Sequence, residues 1–525
     1  MIKNYFLVLA FTSLLMQAGF SQSPDWSTSI ASIVYDNCST CHRPGEIAPF
    51  SLMSYEDAVL NATGMVTQTS SGLMPPYPAD PNYRHYLDER ILSESEKNAI
   101  AEWVDAGAPE GDTSLAPDPP VFPEGSQLGT PDTVLSMAQA YHIAGDGLDR
   151  YMIFVLPSSF VTDKNISGIE FRPGNKAAIH HVFIYTDTTG TVAAEDAQTP
   201  EYGFEGSASA LLMSEFITLY RPGMNARLLP EGMAYKFHAG TDIIFQIHYA
   251  PLTYATTDSS SINLFYSDVD SPRLVMPLKV TENKIIEPSG LFIPANTVTT
   301  FHSEYQLDDG DLSWIGISPH AHQLCTSFEV YAVNPFGDTI PLVNVPKWNF
   351  DWQLFYNFTS LQKLEDGTML YSEGTFDNTV NNPKNPNNPP IDVSYGPFST
   401  DEMFRYFYMA VKYEPGDEDI ILDSSIALGS LPIDGVVSTP QFYPCYPNPT
   451  ASEIAFSFFL PCDAHVTLKI YDLRGNIVAI PVSSRILSPG FHKEIFSADD
   501  FLPGTYICKF ESDNFSKSKM LVIAR

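Results

Sequence analysis

Between residues 128 and 430 the sequence alternates short apolar and polar segments with turns, and this pattern constrains the fold more than any other feature. Asp242–Tyr249 (Asp-Ile-Ile-Phe-Gln-Ile-His-Tyr) is typical, because it has the residue types and length of one strand. About 300 residues of such segments exceed what one plain β-sandwich holds, so we expect two sandwiches in tandem, over 128–275 and 276–430. The 42 Pro and 31 Gly among 525 residues agree with a chain of strands and turns.

Charge and composition exclude several classes of partner and fold. The formal net charge of −34 disfavours nucleic acid and anionic membrane surfaces as partners. Only 17% of the residues are charged and 44% are hydrophobic, so the chain is not a disordered acidic protein. Beyond the N-terminus no apolar run reaches the length of about 18 residues that a spanning helix needs, so we expect no membrane span in the mature chain.

The N-terminus has the features of a secretory signal peptide. Lys3 precedes an apolar run from Tyr5 to Met16, and the small-residue stretch Ala18-Gly19-Phe20-Ser21 follows. We therefore expect a signal peptide over residues 1–21 and an exported protein, in a compartment where cysteines can pair.

Helical patterns are confined to residues 24–112. Ser93-Glu94-Ser95-Glu96 is a capping box, and the apolar stripe Ile100, Trp103 and Val104 that follows it ends at Gly107. Pro109 to Ser126 contains five prolines and has no periodicity, so residues 113–127 are predicted to form a linker.

Within this helical region lies Cys38-Ser-Thr-Cys41-His42, which predicts covalent attachment of haem c. Two cysteines three apart can form thioethers with the two haem vinyl groups, and the adjacent histidine can then bind the iron. A chance pair, a redox pair and half of a zinc site are the alternatives. The export signal and the adjacent His42 favour haem.

These residues, with Met74-Pro75-Pro76 and the helix around Trp103, resemble a class I cytochrome c domain. The resemblance implies a methionine near a proline as the sixth iron ligand, and Met74 is the predicted one. Met53 and Met65 remain open as alternatives, since either could instead belong to the core.

Histidines in the sandwich region form a second set of candidate ligands, namely His180-His181, His248 and His320-Ala-His322. Residues two apart on a strand point to the same face, so the last two can chelate one ion. Adjacent histidines point to opposite faces, unless they lie at a strand end or bulge or use different ring nitrogens. Taken singly, each could be an ordinary buried histidine.

Their order, followed by Asp401-Glu402-Met403, resembles the copper type II, ascorbate-dependent monooxygenases, the family of peptidylglycine α-hydroxylating monooxygenase and dopamine β-monooxygenase. The resemblance covers about 128–428 as two jelly-roll-like sandwiches. It implies two copper ions, an electron-transferring one on three histidines and an oxygen-activating one on two histidines and a methionine, whose soft sulfur suits Cu(I). The ligands implied for the first ion are His180, His181 and His248, and those for the second are His320, His322 and Met403.

The residues that anchor substrate in the peptide-amidating relatives do not carry over. Their places are taken here by Ser318, Arg405 and Phe407. This argues against a glycine-extended peptide and leaves open which small molecule or peptide is the substrate. The family's several disulfides are also mostly missing, because Cys325 is the only cysteine between residues 42 and 444.

The last 84 residues, 442–525, contain Tyr446-Pro-Asn-Pro449, the strand-like Val466–Asp472 and a lysine-rich end. They resemble the type A sorting domain of the type IX secretion system, and a carbohydrate-binding accessory module is the alternative. The resemblance implies the secretion machinery as a partner and a secreted or cell-surface location.

Taken together, we expect a mostly β, multidomain protein: a small α-helical cytochrome c domain, two tandem jelly-roll-like sandwiches and a small C-terminal β-sandwich. The expected function is hydroxylation of a C–H bond with O₂ by a secreted copper monooxygenase, with electrons from the fused haem domain, ascorbate or another reductant. A non-catalytic exported electron-transfer or copper-binding protein is the alternative.

Overall fold

A computed structural model describes residues 23–123, 125–206, 211 and 213–422, and in the C-terminal part 440–442, 450, 453–460, 464–487, 490–498, 501–512 and 515–524. The predicted signal peptide and Tyr446-Pro-Asn-Pro449 lie outside the described residues. The chain divides into two compact units, residues 1–429 and 430–525.

The first unit begins with a helical module, residues 23–112. Its α-helices are α1 (Ala31–Asn37), α2 (Tyr55–Ser70) and α3 (Glu94–Asp105), and a π-helical turn, Trp26–Ile30, precedes α1. The predicted capping box is confirmed, since the Ser93 side chain accepts from the Glu96 N–H while the Glu96 carboxylate accepts from the Ser93 N–H. Trp26, Ile100 and Trp103 are fully or almost fully buried in the small core between the helices.

The first sandwich pairs a sheet ordered β1-β12-β4-β9-β13, with β8 beside β4, with a second sheet ordered β6-β3-β10-β5-β7. The predicted strand Asp242–Tyr249 is confirmed as β10, whereas the short helix α4 (Thr191–Asp196) was not predicted. In chain order the strands are β1 (Thr133–Ser136), β2 (Tyr141–Ile143), β3 (Arg150–Pro157), β4 (Lys164–Arg172), β5 (Ile179–Asp187), β6 (Phe204–Glu205), β7 (Glu215–Tyr220), β8 (Arg227–Leu228), β9 (Met233–Phe237), β10 (Asp242–Tyr249), β11 (Thr256–Asp258), β12 (Ser261–Tyr266) and β13 (Arg273–Leu274).

The second sandwich pairs a sheet ordered β14-β24-β18-β21 with one ordered β15-β17-β22-β19-β20. Its strands are β14 (Met276–Val280), β15 (Ile285–Glu287), β16 (Phe292–Ile293), β17 (Val298–Gln306), β18 (Leu312–Ala321), β19 (Cys325–Val333), β20 (Thr339–Val345), β21 (Tyr356–Leu364), β22 (Met369–Asp377), β23 (Val393–Ser394) and β24 (Phe404–Lys412).

The two sandwiches share one apolar core. Phe407 and Met409 on β24 belong to the same buried cluster as Phe183 on β5 and Phe245 on β10. Ring centroids of Phe183 and Phe407 lie 5.5 Å apart. Burial of this much aromatic surface fixes the two sheets against each other, so side chains on the facing strands have defined positions.

The helical module packs on both sandwiches through the loop that precedes α3. Tyr86 donates its hydroxyl hydrogen bond to the Leu342 carbonyl of the second sandwich, at 2.9 Å. Arg90 donates to the Gly223 carbonyl of the first sandwich, at 2.7 Å. The module therefore lies where the two sandwiches meet.

The second unit is a small all-β domain with its own core. Its sheets are ordered β25-β26-β29 and β28-β27-β30-β31, and Val466, Leu468 and Phe510 are fully buried in it. The strands are β25 (Gln441–Phe442), β26 (Glu453–Leu460), β27 (Ala464–Asp472), β28 (Ile477–Leu487), β29 (Gly490–Ser497), β30 (Gly504–Ser512) and β31 (Phe515–Ile523).

The expected fold class is confirmed: the protein is mostly β and multidomain, with helices concentrated in the N-terminal module. No helix in the described ranges is long and apolar enough to cross a membrane.

Candidate metal centre between the two β-sandwiches

A β-bulge brings His180 and His181 to the same site. In the pairing of β5 with β10, His181 lies opposite His248, but the next pair joins Ile179 to Tyr249, so His180 is the extra residue of a bulge. A bulge re-aims one side chain, and this is the condition under which adjacent histidines can face one ion.

The rings of His180, His181 and His248, the histidine triad, converge. The Nδ1 atoms of His180 and His181 are 2.9 Å apart, and each residue offers a ring nitrogen within 4.8 Å of those of the other two. Metal–nitrogen bonds of about 2.0–2.1 Å place neighbouring ligand atoms about 2.8–3.4 Å apart and opposite ones about 4.2 Å apart. The nitrogens of the triad therefore span up to 4.8 Å, which is more than the spacing that one ion imposes, so the rings would have to draw together to bind it.

Neighbouring residues orient His248 within the triad. Its Nε2 lies 3.0 Å from an oxygen of Asp149, whose other oxygen accepts a 2.8 Å hydrogen bond from Ser399 of the second sandwich. Tyr151 stacks on the His248 ring with centroids 4.2 Å apart. A carboxylate that holds one ring nitrogen leaves the other available to a metal, as is common for histidine ligands.

Strand β18 carries the second candidate set, and its last residues face the first sandwich. His320 pairs with Arg405 of β24, and Ala321 pairs with Phe404. His322 and Met403 are the residues that come directly beyond this last pair, one on each strand's continuation. Residues opposite each other in an antiparallel pair share a face, which puts Met403 on the side of His320 and His322. The rings of His320 and His322, the histidine pair, have centroids 5.4 Å apart.

A buried carboxylate, Glu402, fixes the chain around this second set. It accepts backbone hydrogen bonds from His322, from Leu324 at 3.0 Å and from Met403 at 2.8 Å. Burial raises the pKa of Glu402 to about 8, although the three N–H donors favour its ionised form. One side chain thus holds both the end of β18 and the start of β24.

The two sets are close neighbours. The ring centroids of His181 and His320 are 6.4 Å apart. Phe350, from the loop between β20 and β21, lies between the sets: its centroid is 5.1 Å from that of His180 and 5.9 Å from that of His322. Triad and pair therefore form one buried centre at the contact of the sandwiches.

The histidines suit a metal that binds neutral imidazole. Burial lowers the pKa of His248 and His322 to about 4, and it lowers the pKa of His181 and His320 well below the usual value of a histidine. Neutral rings keep a lone pair for coordination at ordinary pH. Among the described residues, none hydrogen-bonds to the buried Nδ1 atoms of His248 and His320, and Nε2 of His180 lies 3.8 Å from an oxygen of Asp351. A ring nitrogen without a hydrogen-bond partner keeps its lone pair available, and a copper ion with imidazole ligands requires such nitrogens.

Arg221, directly after β7, is a charged neighbour that the sequence argument missed. It is 3% exposed, and within the described part of the chain its Nε and Nη2 atoms have no hydrogen-bond partner. Burial lowers its pKa to about 9, and its charge lowers the pKa of His181 and His320 as well. The only signal for Arg221 in the sequence was its position, because this charged residue directly follows the alternating pattern of β7.

Asp149, Phe350 and Glu402 were also not predicted as parts of the site. Glu402 stood beside the predicted Met403, so its position was the available signal. Asp149 and Phe350 lie in turns far along the chain from the residues that they touch, and nothing in the sequence around them indicates the contact.

The three positions that differ from the peptide-amidating relatives have other partners here. Ser318 donates to the Leu354 carbonyl at 3.1 Å, and Phe407 packs on Phe216 with centroids 4.8 Å apart. The Arg405 guanidinium makes an ion pair with Glu282 at 2.7 Å. None of the three is therefore an open anchor for a substrate carboxylate in this structure.

In the helical module, Cys38, Cys41 and His42 form one turn. The N–H groups of Cys41 and His42 donate to the Cys38 carbonyl, at 3.2 and 2.9 Å. Both cysteines are free thiols, and burial raises the pKa of Cys38 to about 12. The Nδ1 of His42 bonds the Phe50 carbonyl at 3.2 Å, which leaves Nε2 as the nitrogen that an iron would take. This arrangement fits haem attachment.

The candidate methionine ligands differ in their surroundings. Met65 is buried in the helical core with Trp103, whereas Met74 is half-buried in the loop after α2. Met53 is half-buried ahead of α2, and its carbonyl accepts from the Tyr35 hydroxyl at 3.2 Å. Core packing explains the burial of Met65, so Met74 stays the preferred ligand, with Met53 and Met65 as alternatives.

Comparison with known proteins identifies the C-terminal region. Residues 444–524 match the family described as secretion system C-terminal sorting domain. This region is thus a type IX secretion sorting domain, and it directs the protein to secretion or to the cell surface. No curated protein matches the sequence.

Three solved structures with similarity to this chain are distant matches. Two are glycosylasparagine amidases: a peptide-N4-(N-acetyl-β-D-glucosaminyl)asparagine amidase (11% identity, 54% of this chain and 97% of that one, TM-score 0.22) and PNGase F from Flavobacterium meningosepticum (12%, 54% and 96%, 0.20). A Parabacteroides merdae β-glucuronidase matches at 11% identity over 43% of this chain and only 28% of that chain, with a TM-score of 0.14. Matches at these TM-scores carry no conclusion about function.

Proposed function

We propose that the protein is an exported copper monooxygenase that hydroxylates a C–H bond of a small molecule or peptide with O₂. One oxygen atom enters the C–H bond and the other leaves as water, which consumes two electrons and two protons. The electrons come from the fused haem module, or from ascorbate or another reductant.

The observation that carries this proposal is the convergence of five histidines from two sandwiches, four of them buried and His180 partly buried. Three come from β5 and β10, two come from the end of β18, and the rings of His181 and His320 are 6.4 Å apart. Buried imidazoles with ring nitrogens that find no partner in the described residues are costly unless something else binds them. Copper with nitrogen and thioether ligands fits this set.

In the proposed site His180, His181 and His248 would hold one copper ion, and His320, His322 and Met403 would hold the other. Copper supplies one-electron redox chemistry and the activation of dioxygen. The protein orients the ligands and keeps water away from them. Asp149 fixes the ring of His248, Glu402 fixes the backbone of His322 and Met403, and Phe350 excludes water between the two sets.

Copper analysis of the protein and two variants tests the ligand assignment. We expect about two copper ions per chain, and about one after His320 and His322 are both replaced by alanine, since a site that loses two of three ligands cannot retain its ion. His142→Ala is the matched control, because His142 is exposed on β2 and belongs to neither set. Zinc in both sites of protein matured with copper would contradict the proposal.

Labelling with oxygen-18 gas tests the reaction itself. The hydroxylated product of a substrate screen should contain one labelled atom per turnover, and formation of the product should stop in the double variant but not in His142→Ala. Product oxygen that derives from water would exclude a monooxygenase.

A non-catalytic electron-transfer or copper-binding role is the second candidate. Phe350 fills the space between the triad and the pair, and the cavity of about 210 Å³ at the junction of the module and sandwiches is lined by none of the candidate copper ligands. A protein with this role would bind copper and exchange electrons, but it would show no O₂ consumption coupled to a hydroxylated product.

A further inference from the structure

The turn Cys38–His42 of the helical module lies against the segment that leads to the histidine triad. A Cβ atom placed on Gly223 would be 3.3 Å from the Cys41 sulfur and 3.4 Å from the Arg90 guanidinium. Gly223 has a φ of +81°, which favours glycine, so both its conformation and the close approach require this residue. The module and the first sandwich therefore touch at the cysteine that a haem would use.

Polar contacts fix this arrangement from three sides. Arg90 donates to the Gly223 carbonyl at 2.7 Å, and Lys176 pairs with Glu46 at 2.5 Å. Arg227 pairs with Asp88 across the same interface. Partly buried ion pairs of this kind set orientation more than they add stability. The turn therefore has one defined position on the first sandwich.

From Gly223 the chain runs directly to the triad. Tyr220, the last residue of β7, pairs with Val182 of β5, the neighbour of His181. Arg221 follows Tyr220, and its guanidinium lies 5.9 Å from the ring centroid of Phe183, which is itself 5.1 Å from the centroid of His181. Backbone geometry along this path limits the distance from the Cys41 sulfur to the His181 Cα atom to about 25 Å.

We infer that residues 220–223 are the contact through which electrons pass from the haem of the helical module to the histidine triad, an inference that rests on the proposed function. The step moves one electron: the ferrous haem iron becomes ferric as Cu(II) at the triad becomes Cu(I). The haem is reduced again by an external one-electron donor. Gly223 is a positioning residue, since it keeps Cys41 close to the segment.

Flash reduction of the haem tests this inference without substrate or O₂. In protein loaded with haem and Cu(II), the haem should reoxidise as the Cu(II) signal disappears from the electron paramagnetic resonance spectrum. Gly223→Val forces Cys41 and Arg90 away, so reoxidation should slow by between about ten- and a hundredfold, the usual effect of a small misplacement on a reaction. Arg90→Met removes the hydrogen bond without straining the backbone and should slow it in the same direction.

Gly232→Val is the matched control. Gly232 has a φ of +80°, and a Cβ atom there meets no atom within 4 Å, so the variant carries similar backbone strain away from the contact. It should reoxidise its haem at the wild-type rate. All three variants should keep the haem spectrum and copper content of the wild type, which separates a lost contact from a lost fold.

The possible results distinguish the inference from the proposed function. Equal reoxidation rates in Gly223→Val, Arg90→Met and wild type would overturn the inference, while copper content and ascorbate-driven hydroxylation would still support a monooxygenase. Absence of copper from the wild type would overturn the proposed function and, with it, the acceptor that the inference requires. Zinc in place of copper should abolish the fast reoxidation, and persistence of the fast phase would show that electrons leave by another route.

Discussion

Replacement of Arg221 by methionine tests whether the guanidinium beside the histidine triad is buried without a compensating partner. Burial lowers its pKa from the usual 12.5 to about 9, and at about 1.36 kcal/mol for each pKa unit this is about 5 kcal/mol against the charged form. Methionine fills a similar volume, but it loses the contact of the guanidinium with Phe183, 5.9 Å from the ring centroid. We therefore expect Arg221→Met to stabilise the metal-free protein by about 1–4 kcal/mol.

Urea denaturation followed by tryptophan fluorescence measures this effect, and the midpoint should rise while the slope stays constant. Arg405→Met is the matched control, because that arginine is paired with Glu282 at 2.7 Å. It should destabilise the protein by about 1–3 kcal/mol, since its removal leaves a half-buried carboxylate without its partner. A loss of more than about 1 kcal/mol in Arg221→Met would refute the reasoning, because it would mean that the charge is compensated.

Three further predictions concern single residues. Asp149→Asn should weaken copper binding at the triad by about ten- to a hundredfold in competition with a coloured chelator, because His248 loses the carboxylate that orients it. Glu402→Ala should release the backbone of His322 and Met403, and X-ray absorption should then show loss of the sulfur ligand while the triad retains its copper. Met74→Ala should convert a low-spin haem into a high-spin or water-ligated one with a lower potential, and an unchanged spectrum would transfer the ligand role to Met53 or Met65.

Local patterns in the sequence predicted much of the fold and the candidate ligands. The apolar run Asp242–Tyr249 predicted β10 with the bounds that the structure shows, and the capping box at Ser93 predicted the start of α3. The requirement for a bulge or strand end at His180-His181 follows from strand geometry, and the structure has the bulge. Such features depend on residues within one or two turns or strands of each other, so a single sequence contains them.

The rest of the site depends on contacts between distant segments, which no local pattern encodes. Phe350 reaches His180 from about 170 positions further along the chain, and its own neighbourhood reads only as a loop. Tyr86 lies in the helical module by sequence, yet it packs in the core of the second sandwich. The distance between the two histidine sets could not be predicted from the sequence either, because it depends on how the two sandwiches pack.

The same contacts that bring the turn Cys38–His42 near the triad also hold the two histidine sets together. Arg90 binds the first sandwich at Gly223, and four residues earlier Tyr86 binds the second at Leu342. A segment this short, anchored at both ends, limits how far the sandwiches can separate. The 6.4 Å between His181 and His320 therefore depends on the docked module as well as on the shared aromatic core. Loss of the whole docking interface, the Tyr86 contact included, should thus affect both electron supply and the spacing of the ligands. A single change at Gly223 or Arg90 leaves these other contacts in place and should affect electron supply alone, whereas loss of the Glu402 contacts should affect the ligands alone.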